Sequence, residues 1–228
     1  TYPVTMLYAP DGRTHVVPKE EVAEWEAVGW YTYPVTMLYA PDGRTRVVPK
    51  EEVAEWRAVG WYTEFEYNTL KKSASYVSNG NYESAIQCLE QGIANTNDAK
   101  TKAVFQNEMR YVANKWQSKI NGPLAVASYS INTSGSAPRV TMYFRNVGTK
   151  TITSFRVRFY CYDVNGKPTV DTSGLNNSFT GKMSNVSIKT LDDAGYYWML
   201  NENKKTTSIQ KISVISVTFS DGTTWSAS

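Results

Sequence analysis

The sequence predicts a multi-domain α+β chain, made of tandem ββα repeats, a small helical bundle and an all-β sandwich. Three observations predict this fold class. A unit of 31 residues is written twice at the start, apolar residues then recur at helical spacing, and near the end they alternate with polar residues. The predicted segments are 1–63, 64–122 and 123–228.

The first segment consists of residues 2–32 followed by a second copy, residues 33–63. The two copies differ at only two positions, where His15 stands against Arg46 and Glu26 against Arg57. Both differences change the charge, and a buried position rarely accepts Glu in one copy and Arg in the other. We therefore expect these four side chains to face solvent.

Each unit is predicted to hold two strands and a short helix. Apolar residues alternate over 2–8, Pro-Asp-Gly at residues 10–12 supplies a turn, and residues 13–17 form the returning strand. Pro18 suits the first position of a helix, where its missing N–H is not needed. The helix is expected to end near Val28, which gives the unit its ββα order.

Residues 64–122 are rich in helix formers and predict a bundle of three helices. Residues 80–86, Gly-Asn-Tyr-Glu-Ser-Ala-Ile, are similar to the turn between the helices of a tetratricopeptide repeat, where Gly, Tyr and Ala take the same relative places. The resemblance covers one repeat and implies a helical hairpin closed by a third helix. Gly92 departs from the family pattern, which usually has Ala there.

Apolar and polar residues alternate from residue 123 onward, as expected for strands with one buried face. Two of these strands carry the inward residues Val140, Met142, Phe144, Phe155, Val157, Phe159 and Cys161. The number of strands expected, about seven, suits an immunoglobulin-like sandwich.

Four motifs of the last segment occur in a recognisable order, at residues 139–146, 150–152, 159–166 and 217–223. In this order they resemble the Ig-like domains of exported proteins and lipoproteins from Gram-positive gut bacteria, the Firmicutes. The resemblance implies an extracellular or cell-envelope protein with a spacing or adhesion role. No catalytic residue comes with it. Any signal or lipid anchor is expected to lie outside the sequence, which does not begin with a basic stretch and an apolar one.

Composition argues against several classes of function. The formal net charge is only +3 and no cluster of Lys and Arg stands out, which argues against a nucleic-acid partner. The single His has Arg46 as its counterpart in the other repeat, and two cysteines are too few for a zinc site. We expect no enzyme, metal site, cofactor or membrane-spanning segment. A wall hydrolase that works through carboxylates is the weakest alternative.

Two sets of residues are candidates for ligand binding. The first set consists of the aromatic residues that follow each short helix: Trp30, Tyr31, Trp61 and Tyr62. They could stack on a sugar ring or a partner chain, or only seal the edge of the unit. The second set is a predicted basic face of the sandwich, formed by Arg145, Arg156 and Arg158. It could bind an anionic wall polymer, or be the ordinary solvated side of a sheet.

The sequence therefore predicts a non-catalytic binding or adhesion protein of the cell envelope. Near-identical tandem copies favour avidity, in which two weak sites on one chain bind more tightly than either site alone. The expected partner is a cell-wall polymer, a glycan or a surface protein. The alternative is a structural spacer for an active region outside this sequence.

Overall fold

The structure, a computed structural model, describes residues 3–171, 174 and 176–227. Six residues lie outside this description: Thr1, Tyr2, Thr172, Ser173, Leu175 and Ser228. The predicted start of the first strand, at Tyr2, and the last residue of the predicted sandwich are among them.

The described residues form two compact units. The first unit holds residues up to 75 together with 88–105, and the second holds 76–87 together with the residues from 106 onward. The division runs through residues 64–122, which the sequence assigns to one helical segment. Each of the three helices there contributes residues to both units.

Each repeat contains an antiparallel hairpin, a turn of 3-10 helix and a short α-helix. The elements are β1 (Val4–Tyr8), β2 (Thr14–Pro18) and α1 (Val22–Ala27), then β3 (Val35–Tyr39), β4 (Thr45–Pro49) and α2 (Val53–Ala58). The prediction that Pro18 takes the first position of the helix is wrong. Pro18 ends β2, because its extended backbone leads into a 3-10 turn before α1 starts. One face of each hairpin is buried through Leu7 and Val17 or through Leu38 and Val48.

Three longer helices follow the repeats: α3 (Glu64–Ser78), α4 (Tyr82–Ala94) and α5 (Ala99–Ile120). The turn between α3 and α4 contains Gly80 with a φ of 76°, a conformation that side chains with a Cβ rarely adopt. No helix among the residues described is long and apolar enough to cross a membrane.

Seven strands form two antiparallel sheets in the described part of the C-terminal segment. They are β5 (Leu124–Asn132), β6 (Arg139–Asn146), β7 (Ile152–Tyr162), β8 (Ser178–Ile188), β9 (Asp193–Met199), β10 (Ser208–Phe219) and β11 (Thr224–Ser226). The orders are β5-β6-β9 and β11-β10-β7-β8, and apolar residues from both sheets share one core. The expectation of a mixed chain of helices and antiparallel sheets is thereby confirmed, and its β content is compatible with a sandwich.

Gly92 of α4 lies against a buried aromatic ring, which explains the absence of Ala at this position. A Cβ on Gly92 would lie 2.8 Å from Phe105 Cε2 and 3.1 Å from Thr69 Cγ2. Phe105 is fully buried, so its ring has little room to move away.

We expect Gly92→Ala to lower the free energy of unfolding by about 1–3 kcal/mol, because the added methyl group overpacks this contact. Urea unfolding of the full chain measures the change. In a helix free of this contact the same substitution raises stability by about 1 kcal/mol. A stabilised Gly92→Ala variant would therefore contradict the packing described above.

Candidate functional site

The loop after each short helix, residues 28–31 or 59–62, forms a feature that we call the repeat tip. Gly29 and Gly60 have φ values of 92° and 93°, which end each helix and reverse the chain. The residues directly before these glycines are Val28 and Val59. They are the most exposed large apolar side chains of the described part of the repeats, at 72% and 71%. Both copies therefore present the same apolar tip to solvent.

The predicted aromatic residues of the tips are partly held by packing. The ring of Trp30 meets that of Trp25 edge to face at 5.4 Å, and Trp61 meets Trp56 in the same way at 5.7 Å. Trp30 and Trp61 are each half-buried. One part of each indole thus stabilises its own unit, and the other part remains open to a ligand.

Tyr31 and Tyr62 have a structural role through their backbone. The N–H of Tyr31 donates to the carbonyl of Tyr8 at 3.0 Å, and the N–H of Tyr62 donates to that of Tyr39 at 2.8 Å. Each tip is thereby fixed to the first strand of its own hairpin. The two tyrosine side chains are half-buried.

The first position at which the copies differ lies beside the tryptophan of each short helix. The His15 ring lies 4.6 Å from that of Trp25, and the guanidinium of Arg46 lies 4.0 Å from the ring of Trp56. His15 and Arg46 are both exposed, as the sequence predicts. An imidazole lies beside the indole in one copy and a guanidinium lies over it in the other, so the difference changes the chemistry of that surface.

The second position at which the copies differ holds Glu26 or Arg57, and only Glu26 faces solvent as predicted. Glu26 is exposed, but the side chain of Arg57 is only 13% exposed. Its guanidinium pairs with the fully buried Glu66 and donates to Asp98 Oδ2 at 2.9 Å and to Thr101 Oγ1 at 3.1 Å. The expectation of a solvent-facing Arg57 is wrong because α3 and the start of α5 bring these partners against α2.

Asp98 is ionised in this network. The Thr101 hydroxyl donates to Asp98 Oδ2 at 2.7 Å, and together with the Arg57 guanidinium it holds the pKa of Asp98 well below its usual range. The backbone N–H of Thr101 donates to the same oxygen at 3.1 Å, so Asp98 also caps the start of α5.

The hairpin faces of the two copies are not equivalent. Tyr67 of α3 stacks on Tyr39 of the second copy at 5.0 Å. On the same face of the first copy, Met6 and Val16 are exposed, whereas their counterparts Met37 and Val47 are half-buried. The repeat tip is therefore the apolar surface that both copies expose equally.

Arg156 and Arg158 are exposed on β7, as the alternation of that strand predicts. Arg145 is not part of this face, because its side chain is only 2% exposed. It donates to Glu83 Oε1 at 2.7 Å, to Glu83 Oε2 at 3.1 Å and to the carbonyl of Leu191 at 2.7 Å. The prediction that Arg145 binds a ligand at the surface is wrong, because α4 covers this part of β6.

Sequence reasoning did not identify a cavity in the second unit. It has a volume of about 470 Å³ and lies between the end of α5 and strands β5, β10 and β11. Its lining includes Trp116, Ile120, Leu124, Val126, Ile212 and Trp225. These residues are far apart in the sequence, so no local motif marks the cavity.

The two cysteines are free thiols. Burial raises the pKa of the Cys161 thiol and that of the half-buried Cys88 thiol. Among the side chains described, no group of three or more His, Cys, Asp or Glu residues could hold a metal ion.

Comparisons with known proteins identify similarity in part of the chain. Residues 139–227 match the model of DUF5780, a family of unknown function. No curated protein matches the chain.

Two solved structures are similar to the chain at low identity. A hypothetical protein from Peptoclostridium difficile 630 has 16% identity and a TM-score of 0.37, over 46% of this chain and 87% of that one. A DUF1425 family member from Shewanella sp. pv-4 has 13% identity and a TM-score of 0.29, over 40% of this chain and 75% of that one.

Proposed function

We propose that this protein is a non-catalytic binding protein of the cell envelope or the extracellular space, and that its two repeat tips bind the same polymer. One observation carries the proposal: Val28 and Val59 are 72% and 71% exposed, although the surroundings of the two copies differ. An apolar side chain that stays exposed in both environments suits repeated recognition of one ligand.

The chemistry of the tip suits a glycan. Each tip combines the exposed methyl groups of Val28 or Val59 with a half-buried indole, that of Trp30 or Trp61. A rigid indole beside aliphatic groups offers a flat apolar surface for a sugar ring. A wall polysaccharide repeats its sugar unit, so one polymer chain could occupy both tips and gain affinity by avidity.

The finer fold assignments are part of the same proposal. We take each strand–strand–helix unit as one ββα module, the seven strands as an immunoglobulin-like domain, and α3 with α4 as a tetratricopeptide-like hairpin. Two antiparallel sheets around one apolar core support the second assignment, and a short turn with Gly80 between two helices supports the third.

The test uses the full chain and insoluble cell-wall material, with soluble wall polysaccharide as competitor. We expect Val28→Asp or Val59→Asp alone to lower the apparent affinity by about 100-fold, because one tip then binds without the other. In high salt, which screens binding through exposed charges, the double variant should lose retention altogether. Its stability should stay near that of the parent, because both side chains are exposed.

The matched control is Glu24→Gln with Glu55→Gln, which changes exposed residues of the same two helices away from the tips. This control should bind as the parent does. Full retention of the double tip variant would refute the proposal that the tips bind.

The second candidate function is that of a structural spacer. The observation that favours it is the pair of buried or half-buried ion-pair networks, centred on Arg57 and Arg145, which fix chain segments distant in sequence to one another. A parent chain that no wall polymer retains would favour this function over binding.

A further inference from the structure

The outer face of the four-stranded sheet is the side of β7 opposite the core residues Phe155, Val157 and Phe159. Its centre is formed by exposed Arg156 and Arg158. Register places Lys182 and Thr180 of β8 beside these arginines on one side, and Ser216 and Ser213 of β10 on the other. The centre of this face is therefore a block of cations surrounded by hydroxyl groups.

The positive charge of this face is not neutralised by the described residues. Neither arginine nor Lys182 has an ion-pair partner among them, and none of the residues registered against the exposed positions of β7 is acidic. Arg57 and Arg145 differ in this respect, because each lies against a carboxylate. Three exposed cations without a counter-charge attract an anion from solution.

The spacing of these cations suits a chain of anions. Arg156 and Arg158 are two residues apart on one strand, about 7 Å along the sheet, and Lys182 lies opposite Arg156 at about 5 Å. Lys211, at a bulge of β10, extends the positive surface, with its Nζ 5.7 Å from the ring of Tyr160. A linear polymer could therefore place several anionic groups on the face at once.

We propose that the outer face of the four-stranded sheet binds an anionic carbohydrate or polyol polymer. The cations pair with its phosphate, sulfate or carboxylate groups, and the serine and threonine hydroxyls bond to its hydroxyl groups. Single-stranded nucleic acid fits less well, because its bases need a row of aromatic side chains to stack on. The outward aromatic residues of β7 are Tyr160 and Tyr162, which lie half-buried at one end of the strand and not between the arginines. This site is separate from the repeat tips and does not depend on the function proposed for them.

The test measures the affinity of the full chain for dextran sulfate and poly(glycerol phosphate), with uncharged dextran and single-stranded DNA as comparisons. We expect binding to both anionic polymers that weakens as salt is added, whereas any binding of dextran at the repeat tips should not change with salt. Arg156→Thr with Arg158→Thr should weaken binding at low salt by about tenfold or more. Thr suits an exposed strand position, so this variant should keep its fold.

The matched control is Lys119→Gln with Lys189→Gln, which removes the same amount of charge from exposed positions outside the sheet. The control should bind dextran sulfate within about twofold of the parent, as should the double tip variant. Equal loss in the control would show that net charge alone causes binding and would overturn the proposal. Tighter binding to DNA than to both anionic polymers, or unchanged binding by the arginine variant, would overturn it as well.

Discussion

Arg57→Glu is expected to lower the free energy of unfolding by about 3–5 kcal/mol, although it gives the second repeat the residue that the first repeat has at this position. Arg57 neutralises the fully buried Glu66 and the partly exposed Asp98. A glutamate there would leave three carboxylates together with no cation between them. Urea unfolding of the full chain, followed by tryptophan fluorescence, measures the loss.

Glu66 cannot turn away from the altered residue without further cost. Its Oε2 accepts from the N–H of Thr63 at 2.8 Å and from the Thr63 hydroxyl at 3.1 Å, so it also caps the start of α3. The Thr101 hydroxyl oxygen lies 2.9 Å from Glu66 Oε1, but the single proton of this hydroxyl is donated to Asp98. The position of the carboxylate is therefore set by two donors of Thr63 besides Arg57.

The reciprocal substitution provides the control. Glu26 is exposed, so Glu26→Arg should change stability by no more than about 0.5 kcal/mol. If Arg57→Glu proves equally mild, the ion-pair network does not stabilise the first unit.

The same network gives stability a dependence on pH. The folded chain holds the pKa of Asp98 below its unfolded value, so this contribution is complete above about pH 4 and is lost as the pH falls further. In Arg57→Glu the loss of unfolding free energy on acidification should be smaller, because one of the groups that lower the pKa of Asp98 is gone. An acid titration of both proteins in urea compares the two slopes.

Patterns within short stretches of sequence predicted the local structure of this chain well. The repeat, the turn at residues 10–12 and the alternation along β7 predicted the hairpins and the exposure of Arg156 and Arg158 correctly. These features depend on neighbours within a few residues, and such neighbours are visible in the sequence.

The failures at Arg57 and Arg145 share one physical cause. Each residue lies on the polar side of its own helix or strand, so the apolar periodicity of that element predicts an exposed side chain. The partners come from elsewhere in the chain: Glu66 and Asp98 for Arg57, and Glu83 for Arg145. Burial of a charged residue depends on such long-range pairing, so comparing two nearly identical repeats could not reveal which copy is covered.

Glu83→Ala is expected to lower the free energy of unfolding by about 3 kcal/mol or more. Arg145 is 2% exposed and Glu83 is 20% exposed, so the pair is largely removed from water. The Leu191 carbonyl would still accept a hydrogen bond from Arg145, but the charge pair with Glu83 would be lost from a largely buried position. Urea unfolding measures the effect in the full chain.

A second substitution separates the cost of a buried charge from the value of the pair. Removing both members, as in Glu83→Ala with Arg145→Met, leaves no charge without its partner and fills part of the space with an apolar side chain. We therefore expect the double variant to be more stable than Glu83→Ala alone, because replacing a buried ion pair is less costly than breaking it. If the double variant is the less stable of the two, the other contacts of Arg145, among them its hydrogen bond to Leu191, contribute more to the second unit than the charge pair does.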